Sequence, residues 1–153
     1  MDYEAILFDL YGTLVDDEGR AFDGALALFQ RLQGKKFAVV TSCSRSLAVA
    51  LLQHAGLPKL ELLVSADEVA ANKPAPDGYI AAAKGFALAP ERCLVVEDSP
   101  QGIQAGRAAG MDVVAILRGR ERAFATAATE TFATLARFAE ALRIEHDGRL
   151  RFS

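Results

Sequence analysis

The chain has 153 residues, of which 52% are hydrophobic and 24% are charged, and its net charge is −3. This length is enough for a substantial core, so we expect a single domain over residues 1–153. The weak negative charge gives no electrostatic reason to expect nucleic acid or a membrane surface as a partner. The acidic start Met1–Glu4 is unlike a signal peptide, and no apolar run has the length of a membrane span. Two distant cysteines, Cys43 and Cys93, lack metal-ligand spacing, so we expect a cytoplasmic protein.

Strand-like and helix-like segments alternate along the chain. The predicted helices share apolar residues at a spacing of three or four, as in Leu26, Phe29 and Leu32, whereas the predicted strands are short apolar runs. Strands are predicted over residues 5–8, 37–40, 60–64, 93–96 and 111–117. Helices are predicted over residues 22–32, 76–86 and 132–142, with a further one starting at 99–100 and a weak one at 120–126. Another helix is predicted to be capped by Ser44 or Ser46 and to end near Gly56. Asp147-Gly148 indicates either a short terminal hairpin or a frayed tail.

This alternation predicts an α/β fold, a three-layer Rossmann-like arrangement with a mostly parallel central sheet. Polar side chains follow three of the strands, and the carboxyl ends of parallel strands meet at one crevice. The polar residues at these strand ends are Asp9, then Thr41 and Ser42, then Glu97 and Asp98. Lys73 lies in the loop after the third strand, from which it can join them.

A carboxylate, hydroxyls, a lysine and an acidic pair suggest phosphoryl transfer through an aspartyl phosphate. A carboxylate attacks a phosphate only when cations screen the two negative groups. Mg²⁺ prefers oxygen ligands, and Asp9 and Asp98 fit that role, with Glu97 either bound to the metal or behind its ligands. The Thr41 hydroxyl and the Ser42 backbone N–H are candidates to bind phosphate oxygens. Lys73 is the candidate to neutralise charge on the transferring group.

Four motifs in this order resemble the haloacid dehalogenase-like hydrolases, in the branch that contains β-phosphoglucomutase and small-molecule phosphatases. The resemblance covers nearly all of residues 4–117. Its motifs are Phe8-Asp9-Leu10-Tyr11-Gly12-Thr13-Leu14, Val39-Val40-Thr41-Ser42, Lys73-Pro74-Ala75-Pro76-Asp77 and Val96-Glu97-Asp98-Ser99-Pro100-Gln101-Gly102-Ile103.

The resemblance implies a role for each matching residue. Asp9 would be the nucleophile and a Mg²⁺ ligand, and Asp98 would complete the metal site. Tyr11 would give the metal its backbone carbonyl, while Gly12 and Thr13 would shape the pocket. Thr41 would bind phosphate and Lys73 would stabilise charge, which are the same roles that their residue types suggest.

Tyr11 departs from the family pattern. Phosphatases of the family usually carry a second Asp at this place, which serves as general acid and then as general base. A phenol with a pKa near 10 is a poor base at neutral pH, so about 10²–10⁴-fold in rate would be lost. We therefore expect a phosphatase of low activity. The alternatives are a catalytically degenerate protein that binds a phosphorylated ligand or a protein partner, and a 2-haloacid dehalogenase, in which Tyr at this place is usual.

The second departure is a missing insertion. Relatives usually place a helical cap domain between the first and second motifs, but only 31 residues separate Asp9 from Thr41. We expect a capless core whose site is open to solvent unless a neighbouring subunit covers it. An open site suits a phosphorylated small molecule or a bulkier phosphorylated substrate.

Overall fold

Six parallel strands form the central sheet in the computed structural model, which describes residues 1–152. The strands are β1 (Ala5–Phe8), β2 (Lys36–Val40), β3 (Leu63–Val64), β4 (Cys93–Glu97), β5 (Asp112–Ile116) and β6 (Glu130–Phe132). Their order across the sheet is β3-β2-β1-β4-β5-β6, and every neighbouring pair is parallel. The first strand therefore lies between the two strands that carry the second and fourth motifs.

Five helices connect and cover these strands. They are α1 (Ala25–Arg31), α2 (Arg45–His54), α3 (Asp77–Gly85), α4 (Pro100–Ala108) and α5 (Leu135–Ala141). Short 3₁₀ turns lie at Ala66–Glu68, Pro90–Arg92 and Arg122–Ala125. Serine side chains begin two of the helices: Ser44 accepts a hydrogen bond from the Leu47 backbone N–H, and Ser99 accepts one from that of Gly102. Such caps satisfy backbone donors that have no partner within the helix.

The sheet is buried on both faces because its side chains alternate. Ile6 and Phe8 point to one face, where α1, α2 and α5 pack, and Ala5 and Leu7 point to the other, where α3 and α4 pack. All four of these side chains are fully buried. The result is the expected three-layer fold with a parallel sheet at its centre.

Two predicted elements near the carboxyl end need correction. Phe132 belongs to β6 and not to a helix, because Thr134 caps the N-terminus of α5 and the helix begins only at Leu135. The weak helix predicted at 120–126 is only a 3₁₀ turn. The terminal hairpin is confirmed, with β7 (Leu142–Ile144) and β8 (Leu150–Phe152) pairing antiparallel.

No inserted domain lies between β1 and β2. Residues 9–24 form a loop, and α1 leads directly into β2. Over residues 1–152, no helix is long and apolar enough to cross a membrane.

Candidate active site

The three predicted strand ends meet at one edge of the sheet. Asp9 follows β1, and its backbone N–H donates to the Val96 carbonyl at 3.0 Å. Thr41 follows β2 on one side of Asp9, while Glu97 ends β4 on the other and Asp98 follows it. Their side chains are buried or nearly so. The parallel register thus places these residues next to one another, as the sequence predicts.

Lys73 reaches this group from the loop that precedes α3. Its Nζ donates to Asp9 Oδ1 at 2.7 Å, to Glu97 Oε2 at 2.6 Å and to the Val40 carbonyl oxygen at 2.9 Å. Burial lowers the pKa of Lys73, but the negative charges of Glu97 and Asp9 outweigh it, so the pKa lies above its ordinary value. Lys73 is therefore a fixed positive charge beside the candidate nucleophile.

Glu97 anchors Lys73 from beneath. Its side chain is fully buried, and Oε2 accepts from both Lys73 and the Tyr79 hydroxyl, the latter at 2.5 Å. Oε1 lies 3.3 Å from the Asp98 backbone N and 3.4 Å from Ser99 Oγ. Burial and the nearby charge of Asp9 raise the pKa of Glu97 to about 7. Because four donors occupy its oxygens, Glu97 is better placed to hold Lys73 than to offer free lone pairs.

Two features explain how Glu97 fits under the site. A Cβ at Gly102 would overlap the Glu97 carboxylate, so only glycine lets α4 approach it. Tyr79, from α3, is fully buried, and its ring also lies under Lys73 Nζ, 5.1 Å from the ring centroid. Tyr79 was not predicted as a site residue, since nothing in the helical pattern separates a tyrosine with a functional contact from one in the core.

Asp98 lies on the other side of Asp9. Thr13 Oγ1 is 3.3 Å from Asp9 Oδ2 and 3.2 Å from Asp98 Oδ1, so its hydroxyl can donate to either carboxylate. Burial and the hydrogen bond and charge of Asp9 raise the pKa of Asp98 to about 6. Gly12 adopts a φ of +83°, and a Cβ there would overlap the Asp98 carboxylate. The glycine in the first motif is therefore required by both conformation and space.

Two arginines that the sequence analysis did not single out also face Asp98. Arg118 Nη1 lies 3.4 Å and Arg120 Nη2 lies 3.8 Å from Asp98 Oδ2. Both follow β5, the next strand of the sheet beyond β4. The location of these two arginines was predictable from the sequence, because charged residues after a fifth parallel strand must also lie at this edge.

The carboxylates fit a divalent cation. Asp9, Glu97 and Asp98 can each offer one oxygen, and these oxygens lie within 4.8 Å of one another. Mg²⁺ takes oxygen ligands and usually retains several waters, so two carboxylates are a sufficient protein contribution. Asp9 and Asp98 are the more available pair, since the oxygens of Glu97 already accept hydrogen bonds from the protein.

An open cleft of about 450 Å³ lies above these groups. Beyond the charged residues it is lined by Tyr11, Thr41, Ser42, Cys43, Ser99 and Gln101. Tyr11 is 43% exposed and lines the cleft, so a phenol lies where the resemblance to the family predicts a second carboxylate. Thr41 Oγ1 accepts from the Cys43 backbone N–H at 3.3 Å, which orients its hydroxyl beside the cleft.

The fold and the site together define an α/β domain with a charged, phosphate-compatible centre at the carboxyl edge of its sheet. The family model described as haloacid dehalogenase-like hydrolase matches residues 15–110. The chain belongs to this family. The match contains the second, third and fourth motifs, whereas the first motif, with Asp9, lies just before it.

Curated relatives include two phosphatases from Escherichia coli (strain K12). Hexitol phosphatase A is 45% identical over 98 residues, which are 63% of this chain and 45% of that protein. Fructose-1-phosphate phosphatase YqaB is 44% identical over 81 residues, 52% of this chain and 43% of that protein. The chain therefore spans less than half the length of these relatives.

Solved structures share the fold. A HAD family hydrolase from Deinococcus radiodurans R1, with bound phosphate and sodium, matches with a TM-score of 0.80 at 24% identity, covering 88% of this chain and 92% of that chain. CbbY from Rhodobacter sphaeroides in complex with xylulose-(1,5)bisphosphate matches with a TM-score of 0.76 at 22% identity, covering 89% and 96%. At these identities the similarity shows the fold alone.

Proposed function

We propose that this protein is a Mg²⁺-dependent phosphatase that hydrolyses phosphate monoesters through an aspartyl phosphate at Asp9. The observation that carries the proposal is the contact between Lys73 Nζ and Asp9 Oδ1 at 2.7 Å, next to a second carboxylate, Asp98. A nucleophilic carboxylate, a fixed cation and a cation-binding pair are the parts that phosphoryl transfer needs.

In the first step, Thr41 and Ser42 bind the phosphate oxygens and present phosphorus to Asp9. Oδ1 of Asp9 is held by Lys73, so Oδ2, beside Thr13 at 3.3 Å, is the oxygen more available for attack or for the metal. Asp9 and Asp98 would hold Mg²⁺ together with the Tyr11 backbone carbonyl, with Glu97 behind them. When bound, Mg²⁺ supplies positive charge that screens the carboxylate from the phosphate.

Lys73 is charged next to the transferring group when the substrate binds, because Glu97 and Asp9 raise its pKa. The Asp9 oxygen forms a bond to phosphorus as the bond between phosphorus and the ester oxygen breaks, and the ester oxygen leaves as an alcohol with a proton from solvent. Water then cleaves the aspartyl phosphate, which releases inorganic phosphate and returns Asp9 to its starting form. Tyr11 can neither protonate a poor leaving group nor activate water efficiently at neutral pH. Substrates with activated leaving groups are therefore favoured, and turnover is slow.

The substrate is a phosphorylated small molecule or a bulkier phosphorylated one, because the cleft is open and contains Lys73 beside the two aspartates. The names of the relatives, which include a hexitol phosphatase and a fructose-1-phosphate phosphatase, support a phosphorylated polyol or sugar. The proposal includes a single capless core domain over residues 1–153, a cytoplasmic location and a homo-oligomer in which a second subunit covers the open cleft.

The test is hydrolysis of p-nitrophenyl phosphate with Mg²⁺ and with EDTA. Turnover should require Mg²⁺, vanish in Asp9→Asn and rise at least tenfold in Tyr11→Asp, which restores an acid/base at this place. Asp17→Asn, the same change at an exposed loop residue, is the control and should retain full activity. Activity that survives Asp9→Asn contradicts the proposed nucleophile.

Tyr11 favours a second function. In this alternative the domain is catalytically degenerate and binds a phosphorylated ligand without turnover. It predicts no hydrolysis by the starting protein and by Tyr11→Asp, but measurable binding of the ligand in calorimetry. Chloride release from a 2-haloacid without metal would instead support dehalogenation.

A further inference from the structure

Asp98 has positive partners that are separate from Lys73. The Nζ of Lys73 contacts Asp9 and Glu97, whereas Asp98 faces Arg118 at 3.4 Å and Arg120 at 3.8 Å. The positive charge of the site is thus divided, with the lysine on one side of the carboxylates and two arginines on the other.

Arg118 is held in place from several directions. Its guanidinium carbon lies 4.7 Å from the centroid of the Phe22 ring, and its backbone N–H donates to the Ala133 carbonyl at 3.0 Å. Its φ of +53° is a left-handed conformation that is unfavourable for a non-glycine residue. These contacts hold a backbone conformation that brings its side chain to Asp98.

Arg120 is fixed in a similar way. Its Nε donates to the Leu117 carbonyl at 2.8 Å and its Nη2 to the Ile116 carbonyl at 3.1 Å. Its guanidinium also lies over the Phe124 ring, 4.3 Å from the centroid. Neither arginine therefore depends on Asp98 alone for its position, so both charges stay near Asp98 when its oxygens take another partner.

We infer that Arg118 and Arg120 are positioning residues that lower the affinity of Asp98 for a divalent cation. They attract the carboxylate oxygen that a cation would take, and their charges repel a cation bound there. Both distances to Oδ2 are long for a charge-assisted hydrogen bond, so a cation can displace these contacts. The site then binds its metal reversibly. This inference rests on the metal site of the proposed function.

Calorimetric titration of the intact protein with Mg²⁺ tests the inference. Removing the positive charge that lies 3.4 Å from Asp98 predicts at least about tenfold tighter Mg²⁺ binding in Arg118→Gln, and a smaller gain in Arg120→Gln. Arg118→Lys keeps the charge and should remain within about twofold of the starting protein. Arg122→Gln is the matched control, because Arg122 is exposed nearby and its loss changes the net charge equally.

Melting curves in EDTA and in saturating Mg²⁺ give a second measurement. Removing Arg118 takes away the charge that compensates Asp98, so the variant should melt lower in EDTA and gain more from Mg²⁺ than the starting protein. This comparison also shows that each variant folds, and Arg120→Gln still tests the inference if Arg118→Gln does not fold.

The measurements distinguish a failure of this inference from a failure of the proposed metal site. Unchanged or weaker Mg²⁺ binding in both glutamine variants, with normal binding by the starting protein, overturns the role of the arginines and leaves the proposed function intact. No Mg²⁺ binding by the starting protein or any folded variant overturns the proposed metal site and this inference together.

Discussion

Glu97→Gln tests whether the buried carboxylate holds the site together. The substitution keeps the size of the side chain but replaces an acceptor oxygen with an NH₂ group. If the amide nitrogen takes the place of Oε2, it faces two donors, Lys73 Nζ at 2.6 Å and the Tyr79 hydroxyl at 2.5 Å. In the flipped orientation the amide nitrogen takes the place of Oε1 and faces another donor, the Asp98 backbone N–H at 3.3 Å. No orientation satisfies every partner.

The expected loss of unfolding free energy in Glu97→Gln follows from the burial of this side chain. Glu97 is fully buried, and removing one member of a buried ion pair costs about 3–5 kcal/mol. Lys73 retains Asp9 at 2.7 Å, and burial disfavours the charged form of Glu97, since it raises the pKa of that carboxyl to about 7. We therefore expect a loss of unfolding free energy below this range, about 2 kcal/mol. Tyr79→Phe removes only one hydrogen bond to the same oxygen and should cost about 1 kcal/mol.

The assay is urea unfolding at pH 8 in EDTA. That pH lies above the Glu97 pKa of about 7, so the side chain is charged in the starting protein. Glu91→Gln, the same change at an exposed position, should stay within about 0.5 kcal/mol. A loss below about 1 kcal/mol in Glu97→Gln would refute the structural role argued for this carboxylate.

Two further predictions concern the same cluster. Gly12→Ala should cost about 2–4 kcal/mol and abolish Mg²⁺ binding, because it combines a left-handed φ with an overlap on Asp98. Gly34→Ala, with a φ of +80° and open space around the added methyl group, should show only the conformational part, about 1–2 kcal/mol, in the same urea assay. In EDTA, the free energy of unfolding should fall as pH rises from about 4.5 to 7. The folded-state pKa values of Glu97 (about 7) and Asp98 (about 6) lie above their ordinary values, so the folded state binds more protons than the unfolded state over this range. Saturating Mg²⁺ should reduce this slope, since the cation favours the deprotonated carboxylates, and a stability that rises over this range would contradict the burial argument.

The sequence by itself determined the order of the strands along the chain and the residues at their ends. Apolar runs that stop at Asp9, Thr41 and Glu97 predict buried strands, and parallel pairing requires their ends to share an edge. The helix after Ser99 is equally local, because a serine cap followed by Pro100 begins a helix in many contexts. These features were predictable because they depend on neighbours in sequence.

Only the tertiary structure decided how the charges are paired. Glu97 could be assigned to the acidic pair from sequence, but its burial beneath Lys73 and Tyr79 depends on how α3 and α4 pack on the sheet. The positive partners of Asp98 come from a loop 20 residues further along the chain. Phe132 shows the same limit, since its place in β6 depends on pairing with β5 and not on its own helical spacing. Side-chain contacts between distant segments arise from packing, and periodicity along one segment carries no information about them.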